Sequence, residues 1–302
     1  MKLQTCLLQH KLLWDSLYAP NIEALYEYQT TPWAQGGFSD IFLLQDNRLC
    51  KREKLFAVPS PHNNDTFYNH EKGHPMFYIK ESFLLEALVM ETLHPFSPLL
   101  PKVYNYKFGQ VKNGTWVSIL IMEKMEGKEY PPKPFQMAEM KSLWIPVFRH
   151  LNQLYKDFSF IHGDLIFRNM KIREGQLVLF DFGLSSLKIG STFFCRYHSF
   201  QRCIAQMLND PRMLIHMETT LPANWDCHDI LLFVQQHRQG VDICAMLGRF
   251  MKNLPPSIVK LLGECIGGRT STFQQTTMTH QPFPMSYSRE VITYPEIIRL
   301  LS

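Results

Sequence analysis

No stretch of the chain approaches the ~20 consecutive apolar residues of a membrane-spanning helix. The densest run is Trp116-Val-Ser-Ile-Leu-Ile-Met122. A secretory leader is not legible either, because Gln4, Gln9, His10 and Lys11 interrupt any apolar core after Met1. Cysteine pairing is also missing. The seven cysteines (Cys6, Cys50, Cys195, Cys203, Cys227, Cys244 and Cys265) are odd in number and scattered, and none forms a Cys-x-x-Cys pair. This argues against a zinc site and a disulfide framework, and favours free thiols in a reducing, cytoplasmic setting. There is no internal repeat. Strong charge of either sign is lacking too: the net charge of +4 suits anionic ligands without arguing for nucleic acid.

What is present is the composition of a soluble globular protein, 45% hydrophobic and 19% charged. At 302 residues the chain can bury one or two sizeable cores. Its most informative stretch is residues 160–184. Asp164 follows Phe158-Ser-Phe-Ile-His-Gly, and Asp181 follows the apolar run Leu177-Val-Leu-Phe, the pattern of a buried strand. Between them, Met170-Lys-Ile, a Glu-Gly turn and Gln-Leu-Val-Leu predict a small hairpin. That hairpin would carry Asp164 and Asn169 close to Asp181. Two carboxylates and an amide suit phosphoryl transfer, in which one carboxylate orients a hydroxyl and another holds Mg²⁺.

His162-Gly-Asp164 with Asn169 five residues after the aspartate, followed by Asp181-Phe-Gly183, resembles the catalytic and metal loops of the protein-kinase-like superfamily. The His-Gly-Asp form is similar to its atypical branches: the RIO kinases, the kinase of the KEOPS complex, and the aminoglycoside and choline phosphotransferases. The resemblance implies an α+β, two-lobed fold. Residues 1–122 would form a first lobe, 123–130 a hinge, 131–265 a helical second lobe and 266–302 a polar tail. It also implies ATP and Mg²⁺ as cofactors.

Upstream residues fit this frame. Leucines from Leu3 to Leu17 at helical spacing predict a helix packed on the first lobe. Ala34-Gln-Gly-Gly-Phe-Ser leads into a strand and a hairpin, and glycine there lets backbone amides approach phosphates. By the resemblance Ala34, Gly36, Gly37, Phe38, Ser39 and Ile41 cover the nucleotide, although alanine and serine stand at the first and third glycine positions. Lys51 falls where the phosphate-binding lysine is expected, with Lys54 as its rival. Residues 55–78, rich in Pro, Asn and His and without periodicity, read as a surface insertion that could carry partner contacts. Glu81 to His94 is a helix, apolar on nearly every side and so largely buried. Glu81, Glu86 and Glu91 all neighbour apolar residues, and periodicity does not choose among them; the family pattern favours Glu86 as the partner of Lys51.

Leu100–Tyr106 and Trp116–Met122 predict two strands joined through Asn113-Gly114. Glu123 and Met125 fall in the implied adenine-binding hinge. Trp144, Val147, Phe148, Leu151, Leu154 and Tyr155 form the apolar stripe of a helix. Helical patterns follow at 196–208, 226–237 and 241–263. Trp225-Asp226 resembles the helix start that anchors a kinase catalytic loop, and Glu290–Leu301 reads as a short helix that docks back.

By the same resemblance Asp164 is the catalytic base, paired in function with Lys51 and Glu86, while Asn169 and Asp181 hold the metal. His162 braces the loop. Gly163 stands where many kinases have an arginine, Ile166 where they have a lysine, and Arg168 is a candidate to replace that charge. No Ala-Pro-Glu triplet closes the activation segment. The leading expectation is a serine/threonine protein kinase with a protein substrate and no membrane or nucleic-acid partner. A small-molecule kinase and a catalytically silent scaffold are the alternatives.

Overall fold

The computed structural model describes residues 2–9, 13–62, 66–69, 76–131, 136–196, 238–240, 242–265 and 292–302. The fold is mixed α+β. In chain order its strands are β1 (Ala34–Gln35), β2 (Ser39–Leu43), β3 (Leu49–Lys54), β4 (Tyr68–Asn69), β5 (Met76–Ile79) and β6 (Val103–Gln110). They continue as β7 (Trp116–Met122), β8 (Lys128–Glu129), β9 (Met170–Arg173), β10 (Gln176–Leu179), β11 (Ser186–Ile189) and β12 (Thr192–Arg196). Six labelled α-helices accompany them: α1 (Leu3–Leu8), α2 (Trp14–Leu17), α3 (Ser82–Leu93), α4 (Met137–Phe158), α5 (Pro256–Cys265) and α6 (Tyr294–Leu301). Residues 238–240 and 242–247 are helical as well.

The largest sheet is antiparallel, with five strands in the order β1-β2-β3-β7-β6. Alternation along β3 and β7 divides its faces. Cys50 of β3 and Val117, Ile119 and Ile121 of β7 pack with Ile22, Tyr26, Phe42 and Leu44 in a small core. Lys51 and Glu53 take the opposite face, toward α3. The β9–β10 hairpin forms as expected, pairing Gln176 with Arg173 through to Leu179 with Met170, and β8 adds to its edge.

The α3 helix is buried from Ser82 through Met90, because its apolar residues have no solvent-facing side to occupy. One flank is covered by the N-terminal segment. The single helix expected there is two: α1 buries Leu3, Cys6 and Leu7 in the main core shared with α3, and α2 follows separately. Trp14 of α2 packs edge-on to Phe108, with ring centroids 4.9 Å apart.

The expected surface insertion at 55–78 needs correction. Phe67, Tyr68, Met76 and Phe77 are buried, and β5 lies inside a four-stranded sheet of order β11-β12-β5-β4. Its pairing with β12 is parallel, from Phe193 opposite Met76 to Arg196 opposite Ile79. Strands of two and four residues are too short to show alternation. The neighbour that buries β5 also lies more than a hundred residues further along the chain.

In α4, Met140, Leu143, Trp144, Val147, Phe148, Leu151 and Leu154 form the buried stripe, and Ser159 in the left-handed region ends the helix. The helical pattern at 241–263 is interrupted: a 3-10 segment occupies Gly248–Asn253 before α5 begins at Pro256. The α6 helix lies in the core rather than in a polar tail, with Tyr294 and Ile297 fully buried. The patterns at 196–208 and 226–237, including Trp225-Asp226, fall outside the described residues. Among the described residues no helix is long and apolar enough to cross a membrane, and Cys6, Cys50, Cys195 and Cys244 are buried.

Phe77 and Phe194 meet across β5 and β12 with ring centroids 5.2 Å apart, both almost inaccessible. Phe77→Ala should therefore cost about 3–5 kcal/mol of stability, read from the urea unfolding midpoint. A loss below about 1 kcal/mol would place this sheet outside the cooperative core.

Candidate functional site

Strand alternation puts Lys51 and Lys54 on opposite faces of β3. Lys54 is exposed, whereas Lys51 points under α3 and is 8% exposed. Its ammonium donates to Glu86 Oε1 at 2.6 Å and to Asp181 Oδ1 at 3.0 Å, and Glu53 Oε1 lies 2.9 Å away. Burial alone would lower the Lys51 pKa, but Glu86, Asp181 and Glu53 outweigh it and hold it well above the ordinary value. Burial pushes the pKa of Glu86, 1% exposed, upward, with Asp181 and Glu53 adding to the rise and the Lys51 ammonium opposing it.

The three glutamates of α3 and its N-terminal boundary have separate tasks. Glu81 accepts the Phe56 N–H, Glu86 meets Lys51, and Glu91 accepts the Leu3 N–H and the Tyr106 hydroxyl. Glu53 was not singled out by sequence. It is two residues from Lys51 on the same strand face, and the Ser82 hydroxyl at the start of α3 donates to it. That spacing of two was the available signal.

Asp181 takes φ of 61°, in the left-handed region, where the chain turns sharply after β10. Burial would raise its pKa, but the Lys51 ammonium prevails and holds it below the usual carboxylate range. Half of its side chain still meets solvent. Phe180, just before it, ties the two loops together: its N–H donates to Asn169 O at 2.9 Å, and its carbonyl lies 2.9 Å from His162 Nε2.

His162 has a defined tautomer. The Asp164 N–H donates to Nδ1 at 3.3 Å, so Nε2 carries the proton that Phe180 O accepts. The ring is fully buried, and burial drives its pKa down to about 4. A neutral imidazole bonded at both nitrogens braces the loop. Asn169 Nδ2 donates to Asp164 O and to Asp164 Oδ2, both at 2.9 Å, fixing the carboxylate. Arg168 lies beside them on the short 3-10 turn Phe167–Asn169.

The loop's anchor is Asp242, not a residue that the sequence reading named. Its Oδ2 accepts the His162 N–H at 2.8 Å and its Oδ1 accepts the Gly163 N–H at 2.9 Å. Tyr294 of α6 also brings its hydroxyl within 3.4 Å of Oδ2. Burial lifts the Asp242 carboxyl to about 7, against the pull of Arg238 and of these amides. A carboxylate set in the apolar run Ile243-Cys-Ala-Met-Leu was the signal, since a buried acid requires donors.

At the other end of the site, Gly36 donates its N–H to Ser39 O at 2.7 Å, closing the β1–β2 turn. Ala34 pairs with Ile41, while Gly37 has open space where a Cβ would stand and Phe38 is 91% exposed at the tip. The structure thus brings Lys51, Glu86, Asp181, Asp164 and Asn169 into one connected network. Ala34 through Ile41 form a hairpin of β1 and β2, and β2 pairs with the Lys51 strand. Glu123 donates its N–H to Lys102 O at 2.8 Å. Met125 is buried, its sulfur accepting from Arg173 at 3.2 Å. Among the described residues, no group of three His, Cys, Asp or Glu side chains could hold a metal ion.

Compared with known proteins, the chain matches no family model and no curated protein sequence.

Glu81, like Asp242, is lifted to about 7 by burial. The native state therefore retains these protons to higher pH than the unfolded chain, whose carboxyls titrate near ~4. The stability they contribute is complete below about pH 4 and is lost as pH rises toward 7. His162 acts in the opposite sense, its contribution present above ~6.5 and lost as pH falls toward 4. Glu86 moves in the same sense, and these carboxyls outweigh one imidazole, so unfolding free energy should fall between about pH 5 and pH 7. Glu81→Gln keeps an oxygen for the Phe56 N–H and should fall less steeply in chemical denaturation. An unchanged slope would count against the Glu81 assignment.

Proposed function

We propose that the chain is an ATP- and Mg²⁺-dependent phosphotransferase of two-lobed, protein-kinase-like fold, acting on serine or threonine hydroxyls of a protein substrate. The five-stranded sheet with α3 corresponds to the first lobe, and α4, the β9–β10 hairpin and the helical residues around Asp242 to the second. The observation that carries the reading is the buried Lys51–Glu86 pair reaching Asp181, one residue beyond the Phe180 link to the Asp164–Asn169 loop.

Each residue has a physical task. Asp164, fixed by the Asn169 amide, orients the acceptor hydroxyl and takes its proton as the oxygen attacks. The Lys51 ammonium meets phosphate oxygens, and Glu86 holds it there. Because the Gly36 amide is already bonded within the hairpin, a phosphate would find donors at Gly37 and Phe38. The Glu123 carbonyl can accept from the exocyclic amine of an adenine.

The donor set fits Mg²⁺. This ion takes one or two protein oxygens and completes its shell with water and phosphate. Asp181 offers a half-exposed carboxylate, and Asn169 offers the amide oxygen opposite the nitrogen that bonds Asp164. Three carboxylates around one ammonium also leave negative charge that a cation would balance. When bound, Mg²⁺ would neutralise the charge of the transferring phosphates.

The test is transfer of labelled γ-phosphate from Mg·ATP to the protein itself and to a generic basic protein. Wild type should become labelled, while Asp164→Ala, Asp181→Ala and Lys51→Met should each lose about 10²-fold or more. ATP turnover without labelled protein would redirect the reading to a small-molecule acceptor. Absence of both turnover and a nucleotide-induced thermal shift would leave a scaffold.

A further inference from the structure

Resting on the phosphotransfer reading, the next inference concerns what holds the two loops in register. Ile161 and Ser186 form an isolated antiparallel bridge, with N–H···O distances of 2.9 and 3.0 Å, and the Ser185 hydroxyl donates to His162 O at 2.8 Å. The backbone on either side of these contacts is gripped from one place. Asp242 takes the amides of His162 and Gly163. Arg238, four residues earlier and 5% exposed, donates from Nη1 to Ser186 Oγ at 2.7 Å and from Nη2 to Leu184 O at 3.1 Å.

Residue 163 is shaped to this arrangement. Its φ is +82°, and a Cβ there would lie 2.2 Å from Leu184 O and 3.0 Å from Arg238 Nη2. Only glycine fits, so no side chain can extend from the loop at this position. The guanidinium comes instead from a distant part of the chain and fills the space beside Gly163.

We propose that Arg238 is a positioning residue that pins Leu184–Ser186 against the His162-Gly163-Asp164 loop and thereby fixes Asp181 relative to Asp164. Leu184 is three residues from Asp181, so slippage there moves the metal-side carboxylate against the catalytic one. A displacement of 1 Å is enough to cost about 10²-fold in rate. The planar fork matters, because one flat group bonds a hydroxyl and a carbonyl at once, whereas a lysine ammonium would reach one of them well.

The experiment compares Arg238→Met and Arg238→Lys with wild type. Methionine preserves much of the buried volume without the bonds. Steady-state kinetics with Mg·ATP and the best labelled acceptor would be read beside amide hydrogen exchange at residues 161–163 and 184–186. Arg238→Met should lose about 10-fold or more in kcat with the KM for ATP within about 2-fold, and Arg238→Lys should fall between the two. Exchange should quicken at those amides and not across β3 or α3. A kcat within about 2-fold of wild type, or faster exchange spread evenly over the protein, would overturn the assignment. A wild-type chain that transfers no phosphate would overturn the function reading and the catalytic half of this role. Unchanged exchange in Arg238→Met would overturn the pinning itself, whatever the enzymology.

Discussion

Placing the Lys51 ammonium in the interior would be prohibitive without counter-charge, and the protein supplies three carboxylates from three parts of the chain. Glu53 comes from the same strand, Glu86 from α3, and Asp181 from the turn after β10. Removing any one leaves the others imbalanced in a poorly solvated space, so sheet, helix and the turn after β10 are bound to a common position. The surrounding packing serves that end. The α3 helix is enclosed on successive sides by α1, by the five-stranded sheet and by the sheet of β5 and β12, so the Glu86 carboxyl has little freedom to leave.

The second half of the site is ordered by amides rather than by ions. Asp242 gathers two loop N–H groups, the neutral His162 ring spans Asp164 N and Phe180 O, and Asn169 grips the Asp164 carboxylate. These are bonds between buried or partly buried groups, and each one constrains direction as well as distance. The left-handed turn at Asp181 joins the two systems. Strain at a residue of that kind persists because Lys51 on one side and the Phe180 bonds on the other fix the chain around it.

Local signals were legible in the sequence wherever the structure is made of neighbours. The β9–β10 hairpin, the β6–β7 pair across Asn113-Gly114, the buried α3 and the apolar stripe of α4 all follow from periodicity and turn chemistry within short windows. Lys51 and Glu86 were singled out by the resemblance alone, because periodicity left Lys54 open beside the one and Glu81 and Glu91 beside the other. Asp242 and Glu53 left only faint signals, an acid in an apolar run and a spacing of two, and Arg238 left none, since their importance lies in partners that only the fold supplies. The stretch at 55–78 misled for a related reason: its prolines, asparagines and histidines mask apolar residues whose burial depends on a strand far along the chain.

That distant pairing has a bearing on biosynthesis. β5 sits between β4 and β12, yet β12 emerges more than a hundred residues after it. A ribosome extending the chain at about 5–20 residues per second leaves Met76 and Phe77 with one short neighbour for several seconds. During that interval β5 is an apolar edge, able to pair with another nascent chain as readily as with its own. The same strand alignment that encloses α3 in the finished molecule therefore leaves an open apolar edge in the unfinished one.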